Sequence, residues 1–272
     1  MRTLTDNKLL LDADCPMCRL YAKGFEKAGW VDEATYCPYQ SFDGLANENL
    51  DLDRARNEIA LVDTQSNTVK YGIDAFRHII TNRFPFLNGF LKSRPVDFCL
   101  RKLYRFISFN RKVIAPSEKK EYTRECVPDM NVRYRLAYMV FVIVCSSVVL
   151  YNFTRPINSF MGWQNYLGRE LLICAGQILW QVTFLWKLLN KKLLEYLGNM
   201  MTVSMIGTLL LLPMLLFTGL PVAFRLFYFV FVVGFMLWEH LRRCKILKIG
   251  YLPTISWLVY RLVALAIIVM MS

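Results

Sequence analysis

At 272 residues the chain has room for a soluble domain of about 130 residues plus several membrane spans. Its formal charge of +12 would suit nucleic acid, but 55% of the residues are hydrophobic and only 20% are charged. The excess cations cluster beside and between apolar stretches, where membrane topology accounts for them, so nucleic acid is excluded as a partner. Of the 21 acidic residues, 18 precede Met139, which separates an ordinary soluble half from a strongly apolar one.

The first seven residues are polar and do not read as a signal peptide. Residues 8–12 form a short apolar strand, and residues 16–28 a helix that stops at Gly29. A second strand is expected at 34–39. Ser41 is placed to cap a short helix that has Asp43 and Gly44 near its start. Residues 57–63 read as a third strand, which Gln65-Ser66-Asn67 turns back into residues 68–71 as a β-hairpin. Gly72 precedes a helix with Phe76, Ile79 and Ile80 on one face. The βαβαββα order is that of a thioredoxin-like α/β domain. Residues 94–114 add a basic amphipathic helix bearing Phe98, Leu103, Phe106 and Ile107. The expected organisation is a domain over 1–116, a basic juxtamembrane linker over 117–135 and an all-α transmembrane bundle over 136–272.

Five spans are expected near 136–153, 170–189, 195–217, 221–238 and 252–271. Each is long enough at 1.5 Å per residue to cross a ~30 Å hydrocarbon core. Lys and Arg are abundant before the first span (Arg111, Lys112, Lys119, Lys120, Arg124, Arg133, Arg135), and again around Lys187, Lys191 and Lys192 and around Arg242, Arg243, Lys245 and Lys248. The intervening connections are poor in them. That alternation places the N-terminal domain in the cytoplasm and the C-terminus outside, in the inner membrane of a bacterium.

The chemistry is concentrated in Asp12-Ala13-Asp14-Cys15-Pro16-Met17-Cys18. A strand runs into a Cys-x-x-Cys, and a helix begins at once, with Pro16 suited to its first turn. Cys15 therefore sits at the helix N-terminus, where free N–H groups and the helix dipole favour a thiolate, and Cys18 follows one turn later on the same face. The functional reading makes Cys15 the nucleophile and Cys18 the resolving thiol, with Asp12 able to relay a proton to or from Cys18. Two other readings stay open: a dithiol left over in a binding domain, and a metal site. Metal is disfavoured because a structural zinc wants four ligands, and Cys37, Cys99 and His78 would have to converge on the pair. Neither metal nor cofactor is expected. Cys37 is expected to be a buried small hydrophobe; Cys99, Cys126 and Cys244 are expected to be incidental thiols in a reducing compartment. Cys145 and Cys174 lie singly within spans.

The motif Asp12-x-x-Cys15-x-x-Cys18 resembles the signature of the DCC family (DUF393) of thiol-disulfide oxidoreductases. Pro38-Tyr39-Gln40-Ser41, Gly72-Ile73-Asp74-Ala75 and Tyr104-x-x-Ile107-Ser108-x-Asn110-Arg111 are similar to further family segments. The resemblance covers roughly residues 8–116 and implies a thioredoxin-like fold and redox activity; it leaves the spans unassigned. The chain departs from relatives at Ala13, where many have glycine. It also has no proline within 51–60, where a thioredoxin has the cis-proline that holds substrate backbone beside the dithiol.

Arg261 stands near the middle of the last span. Charge at that depth is costly and faces a partner or a cavity. Gln177 and Gln181, one turn apart in the second span, are the polar groups at comparable depth, and Arg261 is expected to hydrogen-bond Gln181 directly or through water, as a structural clasp or as part of a binding pocket. The leading function is membrane-anchored thiol-disulfide exchange on a membrane-proximal protein disulfide. The alternative is a non-catalytic membrane scaffold whose thioredoxin-like domain binds a partner protein. A membrane enzyme or carrier with Arg261 in its pocket ranks third.

Overall fold

The computed structural model describes residues 4, 7–41, 49–118, 129–217 and 219–270. The contacts divide the chain into two units, residues 1–134 and 135–272. The helix expected after Ser41, with Asp43 and Gly44, and Cys126 lie outside the described residues.

The first unit is built on a four-stranded sheet: β1 (Asn7–Leu11), β2 (Tyr36–Pro38), β3 (Ala60–Asp63) and β4 (Val69–Tyr71), in the order β2-β1-β3-β4. β1 pairs parallel with β2 (Leu9 opposite Tyr36) and antiparallel with β3 (Leu9 opposite Leu61), and β3 pairs antiparallel with β4. The parallel pair needs a crossover, and α1 (Pro16–Lys27) supplies it. Two apolar clusters cover the two faces. One gathers Leu9, Leu11, Cys15, Cys18, Ala22, Leu61, Ala75 and Ile79; the other gathers Leu10, Tyr39, Ala55, Ala60, Val62 and Tyr71. Successive side chains of a strand point to opposite faces, which is why Leu9 and Leu10 lie in different clusters.

α1 ends where its sequence says it should. The Gly29 N–H bonds to the Glu26 carbonyl and the Trp30 N–H to that of Phe25, with Gly29 at φ +67° and the Phe25 and Trp30 rings stacked 5.5 Å apart. This is a glycine-closed C-cap with its hydrophobic contact. α3 (Ile73–Arg83) follows Gly72, whose φ is +57°. A β-carbon there would lie 2.7 Å from Glu58 Oε2 and 3.0 Å from Tyr104 Cε1, so this position requires glycine.

α5 (Arg94–Ile114) occupies the expected residues and is tied to α3. Arg101 grips Asp74 with two hydrogen bonds of 2.9 Å, and its Nε bonds Asp97, which also pairs with Arg77. Two helices were not expected: α2 (Leu52–Asn57), capped by Asp51 accepting from the Arg54 N–H, and α4 (Leu87–Lys92). β2 is shorter than expected, because 3₁₀ turns at Glu33–Thr35 and Tyr39–Ser41 take its ends.

The second unit is helical: α6 (Val132–Met161), α7 (Leu167–Leu189), α8 (Leu193–Leu211), α9 (Val222–Leu247) and α10 (Leu252–Met270). Among the described residues, four helical stretches are long and apolar enough to cross a membrane: Val132–Met161, Leu167–Leu216, Val222–Leu247 and Leu252–Met270. The second stretch is 50 residues long, which as one straight helix would span ~75 Å. Asn190, at φ +40°, divides it into α7 and α8, which pack on each other. α6 and α9 extend well past the expected ends, so Arg155 and Arg242 to Lys245 are helical rather than in connections.

The bundle interior is more polar than the sequence suggested. Tyr138 bonds Thr202 at 2.8 Å and Ser146 bonds Thr208 at 2.7 Å, each joining α6 to α8. Glu239 accepts from Arg242 and from Arg243, and Arg243 also donates to Asn199 Oδ1 at 3.0 Å. Buried His240 meets Thr254 Oγ1 at 2.9 Å through Nδ1 and the Tyr196 hydroxyl at 3.3 Å through Nε2. Cys244, expected to be an incidental thiol beyond the fourth span, is buried in this same group, 3.5 Å from Thr254 Oγ1, because α9 continues through it.

Candidate active site

β1 delivers the chain to Asp12, and a turn closed by the Cys15 N–H on the Asp12 carbonyl (3.2 Å) leads into α1. Cys15 is the N-cap residue of α1, with extended backbone (φ −76°, ψ 115°), and Pro16 follows in the first turn. Cys15 and Cys18 are free thiols, and both are buried, 0% and 1% exposed.

The two sulfurs are electrostatically unequal. A hydrogen bond from the Cys18 thiol pulls the Cys15 pKa below the ordinary cysteine value. Burial opposes that shift, the Cys18 N–H and the Arg111 charge reinforce it, and Asp12 opposes it. Cys18 is pushed up, first by the same hydrogen bond, then by burial and by the negative charge on Cys15. The Tyr21 hydroxyl donates to Cys18 Sγ at 2.9 Å, and burial raises its own pKa. Thiolate character thus concentrates on Cys15, the position where the helix N-terminus also favours it.

Asp12 is 2% exposed and fully engaged. Oδ1 accepts from Gln40 Nε2 at 2.8 Å and from the Asp14 N–H at 3.0 Å, and Oδ2 lies 2.9 Å from Lys112 Nζ. Gln40 also accepts the Ala13 N–H at 3.1 Å, so one side chain holds both the carboxylate and the backbone leading to the dithiol. Among the described residues no hydrogen bond joins the Asp12 carboxylate to either sulfur; its contacts hold the turn that leads into the dithiol.

α5 closes the site from its inner face. The Tyr104 hydroxyl accepts the Ile59 N–H at 3.0 Å, Ser108 Oγ donates to the Asn57 carbonyl at 2.6 Å, and Arg111 donates to the Arg56 and Asn57 carbonyls at 2.8 and 3.2 Å. These bonds hold the segment entering β3, which has no proline, by side chains from a remote helix. Among the described residues no group of three or more His, Cys, Asp or Glu is arranged to hold a metal ion. Cys37, expected to be buried, is half-exposed on the edge strand β2; Cys99 is exposed on α5.

Residues 9–115 match the family model of the DCC1-like thiol-disulfide oxidoreductases. Over these residues the N-terminal region is similar to that family, and it is called the DCC1-like domain below. No curated protein and no solved structure matches the chain. The match stops before α6. Within the DCC1-like domain, sequence reasoning marked Cys15, Cys18 and Asp12 and quoted Gln40, Tyr104, Ser108 and Arg111 as motif residues. It missed Lys112 and Tyr21 as contacts of the site. Tyr21 stands three residues after Cys18, on the same face of α1, a signal that was readable; Lys112 reaches Asp12 across 100 residues of chain and gave none.

In the helical unit, Gln177 and Gln181 are buried on α7, 4% and 0% exposed, and the oxygen and nitrogen of each amide lack a hydrogen-bond partner among the described residues. The expected direct bond from Arg261 to Gln181 is therefore not formed. The Arg261 guanidinium lies instead over the ring of Trp257, 4.2 Å from its centre, one turn earlier on α10. The ring quadrupole attracts the cation, while Arg261 Nε has no hydrogen-bond partner among the described residues.

Proposed function

We propose that this chain is a membrane-anchored thiol-disulfide oxidoreductase whose working pair is Cys15 and Cys18. The observation that carries the reading is the polarised pair at the start of α1, with the Cys15 thiol made acidic and the Cys18 thiol held protonated beside it. The Cys15 thiolate attacks one sulfur of a protein disulfide. A mixed disulfide forms, and the other substrate sulfur leaves as a thiolate and takes a proton from solvent. Attack also removes the negative charge and the hydrogen-bond acceptor that held the Cys18 proton. Cys18 then ionises to solvent more readily, attacks the Cys15 sulfur and closes the Cys15–Cys18 disulfide, releasing the second substrate thiol. The substrate gains two electrons and two protons, and a dithiol reductant must restore the pair. Asp12, Gln40 and Lys112 hold the approach to the dithiol in place.

The alternating basic connections support a cytoplasmic DCC1-like domain in a bacterial inner membrane, and five crossings through α6 to α10 put the C-terminus outside. The substrate is then a disulfide formed near the cytoplasmic face. Arg261, Gln177 and Gln181 are the candidate binding residues of the helical unit, on the ground that both buried amides and Arg261 Nε have no hydrogen-bond partner among the described residues. A second reading, partner binding without exchange, rests on the complete burial of both sulfurs, since exchange requires an in-line approach to Cys15.

The test is Cys18→Ser in the full chain, in membranes, with disulfides trapped by rapid acidification and alkylation. Exchange predicts a mixed disulfide through Cys15 that dithiothreitol releases and that Cys15→Ser/Cys18→Ser abolishes. No mixed disulfide, together with a wild-type pair that stays reduced across a glutathione redox titration, overturns exchange in favour of partner binding.

A further inference from the structure

A soluble domain seldom shows large apolar patches, yet the DCC1-like domain exposes several large apolar side chains along α4 and α5. Phe86 is 78% exposed, Phe90 and Phe98 63% each, and Leu103 54%. α4 packs against α5, and Ser93 alone separates them. On α5, Cys99, Leu103 and Phe106 follow at steps of four and three, so they lie along one side of the helix. Exposed Lys92, Arg94, Lys102 and Arg105 interleave with these residues, and the Lys102 ammonium lies 5.5 Å from the Phe98 ring centre. Residues 87–114 hold seven cations and one acid, and that acid, Asp97, is occupied by Arg77 and Arg101.

We propose that the α4–α5 face docks on the anionic surface of the lipid bilayer. Charge complementarity selects this occupant: aromatic side chains set among cations, with no unpaired acid in the segment, match an interface of headgroups and upper acyl chain. Chain length brings it within reach. Ile114 ends α5 and Val132 begins the first apolar helix, and the 17 residues between them extend at most ~60 Å. The DCC1-like domain is thus tethered beside a membrane and carries a surface suited to it. The inner face of the same helix carries Tyr104, Ser108 and Arg111, so the helix that docks is the helix that closes the dithiol site. The inference does not depend on whether the dithiol exchanges.

The experiment uses the full chain in nanodiscs, with a nitroxide on Cys99 and the other cysteines replaced. Collision with oxygen and with a water-soluble nickel chelate reports burial in lipid, and a label on exposed Ser66 is the aqueous control. In discs containing phosphatidylglycerol, the oxygen-to-nickel ratio at Cys99 is expected to exceed the control several-fold. Each cation removed, by Lys102→Gln or Arg105→Gln, should lower the docked-to-undocked ratio about fivefold, and high salt should act in the same direction. Hydrogen exchange of the unsubstituted chain supplies a second measurement: residues 86–107 should be more protected in anionic than in phosphatidylcholine discs. A ratio equal to the Ser66 control in every lipid overturns the proposal. So does protection that ignores lipid composition and survives both substitutions, which would mean that protein covers the face.

Discussion

The dithiol region and the centre of the helical unit treat polar groups in opposite ways. At the dithiol, the buried Asp12 carboxylate is bonded on Oδ1 by Gln40 and the Asp14 N–H and paired on Oδ2 with Lys112. In the helical unit, the Gln177 and Gln181 amides are as buried and have no hydrogen-bond partner among the described residues. A buried polar group without a partner costs ~1–3 kcal/mol. The first region is complete by itself, with its geometry set before any substrate arrives. The second is completed by something outside the chain, water or a bound molecule, or else it carries a standing penalty.

The sharpest way to break this contrast is to remove one partner from the complete region. Lys112→Ala leaves the Asp12 charge buried with only its Oδ1 bonds. Removing one partner of a buried ion pair costs up to ~5 kcal/mol; with Lys112 itself 23% exposed and two hydrogen bonds remaining, a loss of about 2–3 kcal/mol is expected. Pulse proteolysis of the full chain in urea measures it, and a change within about 0.5 kcal/mol would show that Asp12 does not need the pair.

Gly72→Ala comes next. It forces a side chain onto φ +57° and into Glu58 and Tyr104. The strain is expected to cost about 1–3 kcal/mol, read by the same proteolysis, and slow alkylation of the buried dithiol should accelerate as the Tyr104 contact loosens. An unchanged urea midpoint would remove Gly72 from the frame of the site.

Gln181→Leu probes the incomplete region, and here the sign is the result. If the amide is unpartnered in the membrane, leucine should stabilise the helical unit by about 1 kcal/mol. If a bound molecule completes it, leucine should destabilise the unit in native lipid extract and stabilise it in delipidated detergent. Thermal unfolding in both media decides between them.

The smallest effect sharpens the dithiol chemistry. Because Cys15 is lowered, its alkylation rate should plateau below the ordinary thiol range, while Cys18 should react only above it. The Arg111 cation favours the thiolate and the Asp12 anion opposes it. Arg111→Gln should therefore move the Cys15 midpoint up, and Asp12→Asn should move it down, each by about one pH unit or less. Shifts of the same sign would overturn the electrostatic account.

Most of the DCC1-like domain was legible because its signals are local. Pro16 and Gly29 bracket α1, the turn at Gln65-Ser66-Asn67 joins β3 to β4, and α5 falls on the expected residues. α2 and α4 were missed because six-residue helices are too short to show a period. The helical unit was legible as spans, since length and hydropathy are local, but its interior was not. Serine, threonine, tyrosine and histidine dilute within apolar runs, and only packing brings His240 onto Thr254 and Tyr196. The expected direct Arg261–Gln181 bond is not formed for a related reason: depth along a span can be counted, whereas which side chain meets the guanidinium is set by packing, and Arg261 lies over Trp257, its own neighbour one turn earlier on α10.

Residue order alone determined the four strands, the helices α1, α3 and α5, the Cys15–Cys18 pair at a helix start and the apolar half that follows, because each depends on neighbours within a turn or two of chain. Tertiary structure decided that both thiols are buried, that Cys18 and Arg111 add to the helix terminus in making Cys15 acidic, that Lys112 and Gln40 hold Asp12, and that Tyr104, Ser108 and Arg111 grip the segment entering β3. Those properties arise from charges and hydrogen bonds between groups tens of residues apart, whose strength depends on distance and burial, and neither exists until the chain has folded.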